Sequence, residues 1–299
     1  SDMKALVTGG AGFIGSHLVT KLIDDGYAVT VVDRRASWEN LQGAGRFIQG
    51  MFDVRKIERI RPSMEGIDVV FHLAADISVD KSMRLPLGTY ENNVFGTAIA
   101  LLCASAVGVR RFVNVSSSAV YGDARGRLAE GTRIAPISPY GASKAASELL
   151  CKDFIGNTEV TTVRPFNVYG PRQQKEGPYA SVVSSFMFEE TPTIYGDGEQ
   201  SRSFLHVDDM VDLLILLATN PRAAGETFNA GGPRAYTVNE VFDITQRARG
   251  NDGEEATPIH EEARPGDIKM SEADNSKVRS ILGFIPRIEL EDGVRGLVQ

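Results

Sequence analysis

Cysteine is scarce in this chain of 299 residues: Cys103 and Cys151 are the two present, and neither sits in a C-x-x-C or finger-like spacing. A disulfide scaffold, a dithiol redox pair and a thiolate metal centre are thereby excluded. Both thiols fall in helix-like segments and are expected to be reduced and buried, and no metal is expected. Long apolar runs are missing too. No stretch reaches the roughly 18 continuous apolar residues of a membrane span, and the N-terminal segment enters a strand without a charged region and signal-type apolar run ahead of it. A soluble cytoplasmic protein with no membrane partner is expected. Positive charge is in deficit, with 32 Lys and Arg against 39 Asp and Glu for a net charge of −7. A phosphodiester polymer would be repelled on average, so nucleic acid is not an expected partner, although a local basic pocket can hold a small anion.

What the chain does have is a rhythm. Its first half alternates short apolar runs with helix-length stretches, the pattern of βα units around a parallel sheet. Strands are predicted at Lys4–Thr8, Ala28–Asp33, Arg46–Gln49, Asp68–His72, Arg111–Val115 and Val160–Arg164, and their nearly continuous apolar character implies a sheet covered on both faces. Helices are predicted over Phe13–Gly26, Gly88–Gly108 and Pro139–Ile155, with Gly26 and Gly108 at C-cap positions. Past about Pro171 the rhythm breaks into Gly- and Pro-rich loops, with helices predicted near Val207–Ala218 and Val238–Ala248. The expected fold class is α/β: a doubly wound parallel sheet over residues 1–170, with later segments returning to it, and a smaller α/β lobe mainly over 171–299. Loop-rich lobes of that kind line binding clefts.

Thr8-Gly9-Gly10-Ala11-Gly12-Phe13-Ile14-Gly15 follows the first strand and opens the first helix. Glycine there permits a tight turn and close approach of backbone to a pyrophosphate, while the helix N-terminus supplies N–H donors and positive dipole. Asp33 closes the second strand, where a carboxylate can accept both hydroxyls of an adenine ribose and repel a 2′-phosphate. NAD is therefore the expected cofactor, with NADP the alternative because Arg34 and Arg35 follow directly. Tyr140 and Lys144 share one face at the start of a helix. A tyrosine is a poor base near its ordinary pKa of about 10, but a neighbouring ammonium and an oxidised nicotinamide would favour phenolate. Ser116-Ser117-Ser118 ends the strand Arg111–Val115, and carboxyl ends of strands are where open α/β sheets place ligands.

Occurring in this order, these pieces resemble the extended short-chain dehydrogenase/reductase family, and within it the nucleotide-sugar epimerase/dehydratase branch, along essentially the whole chain. HLAA at 72–75, ENNVFGT at 91–97, SSSAVYG at 116–122, YGASK at 140–144, RPFNVYGPR at 164–172, YGDGEQSRSFLHVDD at 195–209 and RPGD at 264–267 carry the likeness. The resemblance implies a Rossmann-type sheet binding NAD through Gly9, Gly12, Phe13, Ile14, Gly15, Asp33, Arg34, Asp53, Val54, Leu73, Ala74, Ala75, Asn93 and Ser116, together with Tyr140 and Lys144. It implies Ser117, Tyr140 and Lys144 as the catalytic set. Substrate contacts are implied for Ser117, Ser118, Asn167, Arg202, Arg264, Asp267 and Ser271, the two arginines clamping a diphosphate. Planar guanidinium forks suit that task on physical grounds as well.

Two departures bear on the reaction. Relatives that eliminate water across C5 and C6 carry an Asp-Glu pair directly after the catalytic hydroxyl, whereas this chain has Ser118 and Ala119. A 4-epimerisation of a UDP-sugar needs neither carboxyl and is the expected chemistry, with a UDP-glucuronate epimerase, a 4-ketoreductase or a dehydratase as rivals within the fold. A non-enzymatic dinucleotide sensor is the rival outside it, opposed by the intact Ser117, Tyr140 and Lys144. The second departure is Ser203, where relatives commonly have Asp. Ser271 falls where some members have a bulky tyrosine, leaving room for a 2-acetamido group. The family resemblance also implies a homodimer formed through Tyr90–Val107 and the helix after Tyr140.

Overall fold

The computed structural model describes residues 3–175, 181–251, 257–263, 267 and 269–298. Seven parallel strands form the main sheet: β1 (Lys4–Thr8), β2 (Ala28–Asp33), β3 (Ile48–Met51), β4 (Val69–His72), β5 (Arg111–Val115), β6 (Glu159–Pro165) and β7 (Thr227–Ala230). Their spatial order is β7-β6-β5-β4-β1-β2-β3. The winding reverses between β1 and β4, where Thr8 pairs with His72, and the carboxyl ends at such a switch point open a ligand crevice.

Side-chain alternation along the strands sorts the core into two layers. Ala5 and Val7 face α1 (Phe13–Asp24) and α4 (Val207–Thr219), packing with Leu18, Val19, Leu22, Val211 and Leu214. Leu6, Val32, Val70 and Phe112 face the other way, against Ile60 and α2 (Gly96–Ala106) through Ile99, Ala100 and Cys103. Burial on both faces is the reason these strands read as unbroken apolar runs. Cys103 and Cys151 are both free and buried in that second layer.

The six predicted strands are all present, the third shifted to begin at Ile48. The seventh comes from the C-terminal half and pairs with β6 from Thr227 to Ala230. Residues after 170 are thus shared: α4 and β7 complete the main sheet, while the rest build a smaller lobe. That lobe has a four-stranded sheet ordered Ala235–Thr237, Ser201–Ser203, Met270–Ala273, Gly126–Leu128. Beside it lies an aromatic cluster of Phe186, Phe204, Tyr236 and Phe242. Its helix α5 (Val238–Ala248) starts on a capping box between Thr237 and Glu240, a device worth about 1 kcal/mol.

The predicted helix over 88–108 is divided. A short helix at Pro86–Tyr90 runs into a π-turn at Glu91–Phe95 and then α2. The helix α3 (Pro139–Lys152) ends three residues sooner than predicted. Among the described residues no helix is long and apolar enough to cross a membrane.

Candidate active site

The site forms where the ends of β1, β4 and β5 meet α3. The Thr8 hydroxyl fastens the first two strands, accepting from the backbone N–H of Leu73 and Ala74, each at 3.1 Å. Its own proton is then left for His72 Nδ1 at 2.8 Å. His72 Nε2 donates onward to Thr97 Oγ1 at 3.0 Å, and Thr97 donates to the Asn93 carbonyl at 2.6 Å. Burial pushes His72 down to about 3, so the ring is neutral and the relay has one direction. The Asn93 carbonyl, within the π-turn, also lies 3.0 Å from Ser147 Oγ, whose one proton is shared with Ser143 O at 2.8 Å. The Asn93 amide brackets the chain after β4 to α3 through Asp76 N, Asp76 O and Ser143 Oγ.

Between β1 and α1 the glycine turn makes a cradle that a side chain would fill. Gly9 has φ of +69°, and a Cβ there would stand 2.8 Å from Ala74 N. Gly12 is the N-cap of α1 and gives no side-chain cap, so the first-turn N–H groups around Phe13, Ile14 and Gly15 present donors and positive dipole to the crevice. Asp33 is buried at the end of β2 and its carboxylate accepts from Ala11 N and Arg35 N at 3.1 and 3.0 Å. Arg34 turns into a carboxylate cluster instead of toward Asp33: it lies 2.9 Å from Asp76 and 3.5 Å from Asp53, and donates to Asn92. Arg55 grips Asp53 with two guanidinium nitrogens, and these bonds hold its carboxyl down to about 2. Val54 packs into the core layer beside α2. These residues fit a dinucleotide: a backbone cradle and helix terminus for pyrophosphate, a strand-end carboxylate for ribose, and one neighbouring arginine already neutralised.

At the end of β5, Ser117 caps a 3₁₀ turn over Ser118–Tyr121, accepting from Ala119 N at 3.1 Å. Its side chain also shares a hydrogen bond with Tyr140. Pro139 opens α3 with Ser138 as its N-cap, and Tyr140 N is held by Ser82 Oγ at 3.1 Å. One turn later Lys144 Nζ donates to Val115 O at 3.0 Å and lies 6.0 Å from the Tyr140 ring centroid. Burial draws Lys144 down to about 8, with Glu148 opposing. The same burial pushes the Tyr140 phenol upward, and the Ser117 bond only partly offsets it. In the protein alone, desolvation of the phenolate dominates and the Lys144 ammonium is hydrogen-bonded to a carbonyl; the expected lowering calls on the nicotinamide charge as well.

The smaller lobe brings its own set. Arg202 and Ser271 are register partners on neighbouring strands, so their side chains share one sheet face. Arg202 donates to Ser201 O at 2.7 Å and to Asp267 at 3.0 Å, so two residues read separately from the sequence form an ion pair. Asn167 donates to Ser203 O at 2.9 Å. Ser203, for which the sequence suggests no role, is buried and accepts from Ala273 N at 2.9 Å, pinning two strands together. Arg264 lies outside the described residues.

Sequence reasoning passes over Glu148. It accepts from the Ser116 hydroxyl and from Arg164 in the interior. A charged residue four positions after Lys144, on the face that α3 buries, is the available signal.

Residues 5–231 match the model of the NAD dependent epimerase/dehydratase family. A UDP-glucose 4-epimerase from Mycolicibacterium smegmatis is 34% identical over 99% of this chain and 98% of its own. A dTDP-glucose 4,6-dehydratase from Actinoplanes is 36% identical over 98% and 95%. Among solved structures, a UDP-N-acetylglucosamine 4-epimerase from Methanobrevibacter ruminantium, in complex with UDP-N-acetylmuramic acid, is similar with a TM-score of 0.93. It is 34% identical, with 100% of this chain and 97% of that one covered. The cofactor is NAD, and the chain belongs to the NAD-dependent epimerase/dehydratase family.

Proposed function

We propose that this protein is a nucleotide-sugar 4-epimerase acting on UDP-sugars. The observation that carries the reading is the pairing of Ser117 with Tyr140 beside Lys144, in a site whose next two positions are Ser118 and Ala119. Proton relay at one sugar oxygen is provided for, whereas a second acid and base for elimination at C5 and C6 is not. Gly9, Gly12, Phe13, Ile14 and Gly15 would receive the pyrophosphate of NAD, Asp33 the adenine ribose, and Asp53 and Val54 the adenine. Leu73, Ala74, Ala75, Asn93 and Lys144 would line the nicotinamide half. Held there, NAD would supply a hydride acceptor and donor for sugar C4.

The chain's residues handle the proton. Tyr140 Oη, as phenolate, accepts the proton of the 4-hydroxyl directly or through Ser117 Oγ, and gives it back when the 4-keto sugar is reduced. Lys144, charged below about 8, stabilises that phenolate. Arg202, Arg264 and Asn167 hold the diphosphate and Asp267 the nucleotide ribose, so binding energy falls on the half of the substrate that does not turn over. The keto-sugar can then rotate about its phosphate linkage. For Arg202 this means exchanging Asp267 for phosphate oxygens. Ser271 leaves space for a 2-acetamido group, so UDP-N-acetylhexosamines are accepted beside UDP-glucose and UDP-galactose.

A homodimer goes with this reading. Leu87, Phe95, Leu102 and Leu149 are each at least 60% exposed, an apolar set on α2, α3, the π-turn and the short helix before it that a second copy would cover. The function is tested by incubating the protein with a panel of UDP-, dTDP- and GDP-sugars without added reductant, followed by NMR of the anomeric protons. Approach to one equilibrium mixture from either 4-epimer is expected; a 4-keto-6-deoxy product would replace the reading with a dehydratase.

A further inference from the structure

Glu148 sits one helical turn beyond Lys144 on the buried side of α3. Its carboxylate accepts the Ser116 hydroxyl, Arg164 Nε at 2.9 Å and Arg164 Nη2 at 2.6 Å. Acid and guanidinium are 7% and 5% exposed. Arg164 also donates to the Tyr121 hydroxyl at 3.0 Å, which donates in turn to Asn229 Oδ1 at 2.6 Å. An ion pair this deep is a weak source of stability, because desolvating both charges offsets much of their attraction. Its neighbours indicate a different task. Ser116 lies between Val115, whose carbonyl receives Lys144 Nζ, and Ser117, which shares its hydrogen bond with Tyr140.

We propose that Glu148 is a positioning residue for the reaction: held by Arg164, it locks α3 to the end of β5 through Ser116 and keeps Lys144 charged and in register with Tyr140 and Ser117. The inference rests on the proposed roles of Tyr140 and Lys144. Apart from Tyr140 itself when ionised, the other titratable groups around the ammonium bring no opposing charge. His72 on β4 is neutral, the Cys151 thiol is pushed up to about 12 by burial, and Arg164 stands behind the carboxylate. Glu148 is thus the anion that counters the burial of Lys144.

Glu148→Gln alone strands the Arg164 charge and is expected to lower stability, so the informative variant is Glu148→Gln with Arg164→Gln, which removes both charges. The readouts are an ultraviolet titration of tyrosinate in the NAD-loaded protein, with Tyr140→Phe as the blank, and the pH profile of kcat. In the double variant the Tyr140 titration should move up by about one to two units. At pH 7 kcat should fall about tenfold or more, with NAD content and KM close to those of the unmodified protein. An unmoved titration and full kcat in a stable double variant would reduce Glu148 to a packing element and overturn the proposal. Glu148→Asp supplies a second test: it keeps the charge and withdraws the carboxylate from Ser116, so the pH profile should hold while kcat drops, and an undiminished kcat also overturns the proposal. Should the unmodified protein turn over no nucleotide sugar, the epimerase reading falls by itself, since the tyrosinate titration still reports on Glu148.

Discussion

Replacing Gly15 by Ala tests the glycine cradle most directly. A Cβ at Gly15 would lie 2.2 Å from Gly9 O and 2.8 Å from Gly10 Cα. Both obstacles are backbone, so no rotamer change relieves them, and α1 must withdraw from the turn by about 1 Å to reach ordinary contact. Overpacking of this kind costs about 1–3 kcal/mol, which exceeds the roughly 1 kcal/mol that alanine gains over glycine in a helix. Withdrawal also moves the first-turn N–H groups off the pyrophosphate. A hydrogen bond to a charged group is worth about 1.5–3 kcal/mol, so losing one should weaken NAD affinity by about 10- to 100-fold. The assay has two parts: NAD content of the purified variant after protein precipitation, and the urea midpoint of cofactor-stripped protein. Gly88→Ala is the control, because among the described residues nothing beyond its chain neighbours and its own helix backbone lies within 4 Å of the place its Cβ would take, and the change should be neutral or mildly stabilising. A Gly15→Ala protein that retains full NAD and an unchanged midpoint would refute the argument that this contact sets the distance between turn and helix.

Tyr140→Phe should abolish turnover while leaving NAD bound, since the ring remains and the proton acceptor is lost; full activity would remove Tyr140 from the mechanism. The kcat profile should rise with pH as Tyr140, which burial pushes upward, gains phenolate, and should level off above about 8 as Lys144 loses its proton; a rate still climbing about tenfold per pH unit between 8 and 9 would contradict this. Ser271→Tyr should cut activity on N-acetylated sugars far more than on UDP-glucose, read as the ratio of kcat/KM values. Phe95→Glu with Leu102→Glu should give a monomer by light scattering if those side chains meet a second copy.

Much of the sheet is legible in the sequence because strands buried on both faces leave continuous apolar runs, as in Ala28–Asp33 and Arg111–Val115. β7 is not, since Thr-Phe-Asn-Ala carries little strand character of its own and is stabilised by pairing with β6. The π-turn escapes as well. Its sequence is helical by propensity, and the contacts that go with the extra residue are tertiary: the Asn93 side chain bound to Asp76 and to Ser143 on α3. In the candidate site, the Tyr140 and Lys144 pair can be read from its helical spacing and the serines 116–118 from their place at a strand end, while the choice of Ser117 among them comes from the family resemblance. The Glu148–Arg164 pair cannot, because its partners come together only when α3 lies across β5 and β6. The upward push that burial gives Tyr140 escapes the sequence for a related reason: proximity of Lys144 is visible in a helical repeat, and depth of burial is not.

The four-stranded sheet of the smaller lobe is made from distant parts of the chain, Gly126–Leu128 lying beside Met270–Ala273. Such a sheet cannot close until Ala273 has been synthesised, whereas the strand pairings from β1 to β5 lie within the first 115 residues, with α4 arriving later to cover one face. Sequence-distant pairings form late and slowly. The dinucleotide cradle should therefore be complete on the nascent chain before the sugar-facing wall exists, and NAD present during synthesis can act as a folding ligand for the half that must wait.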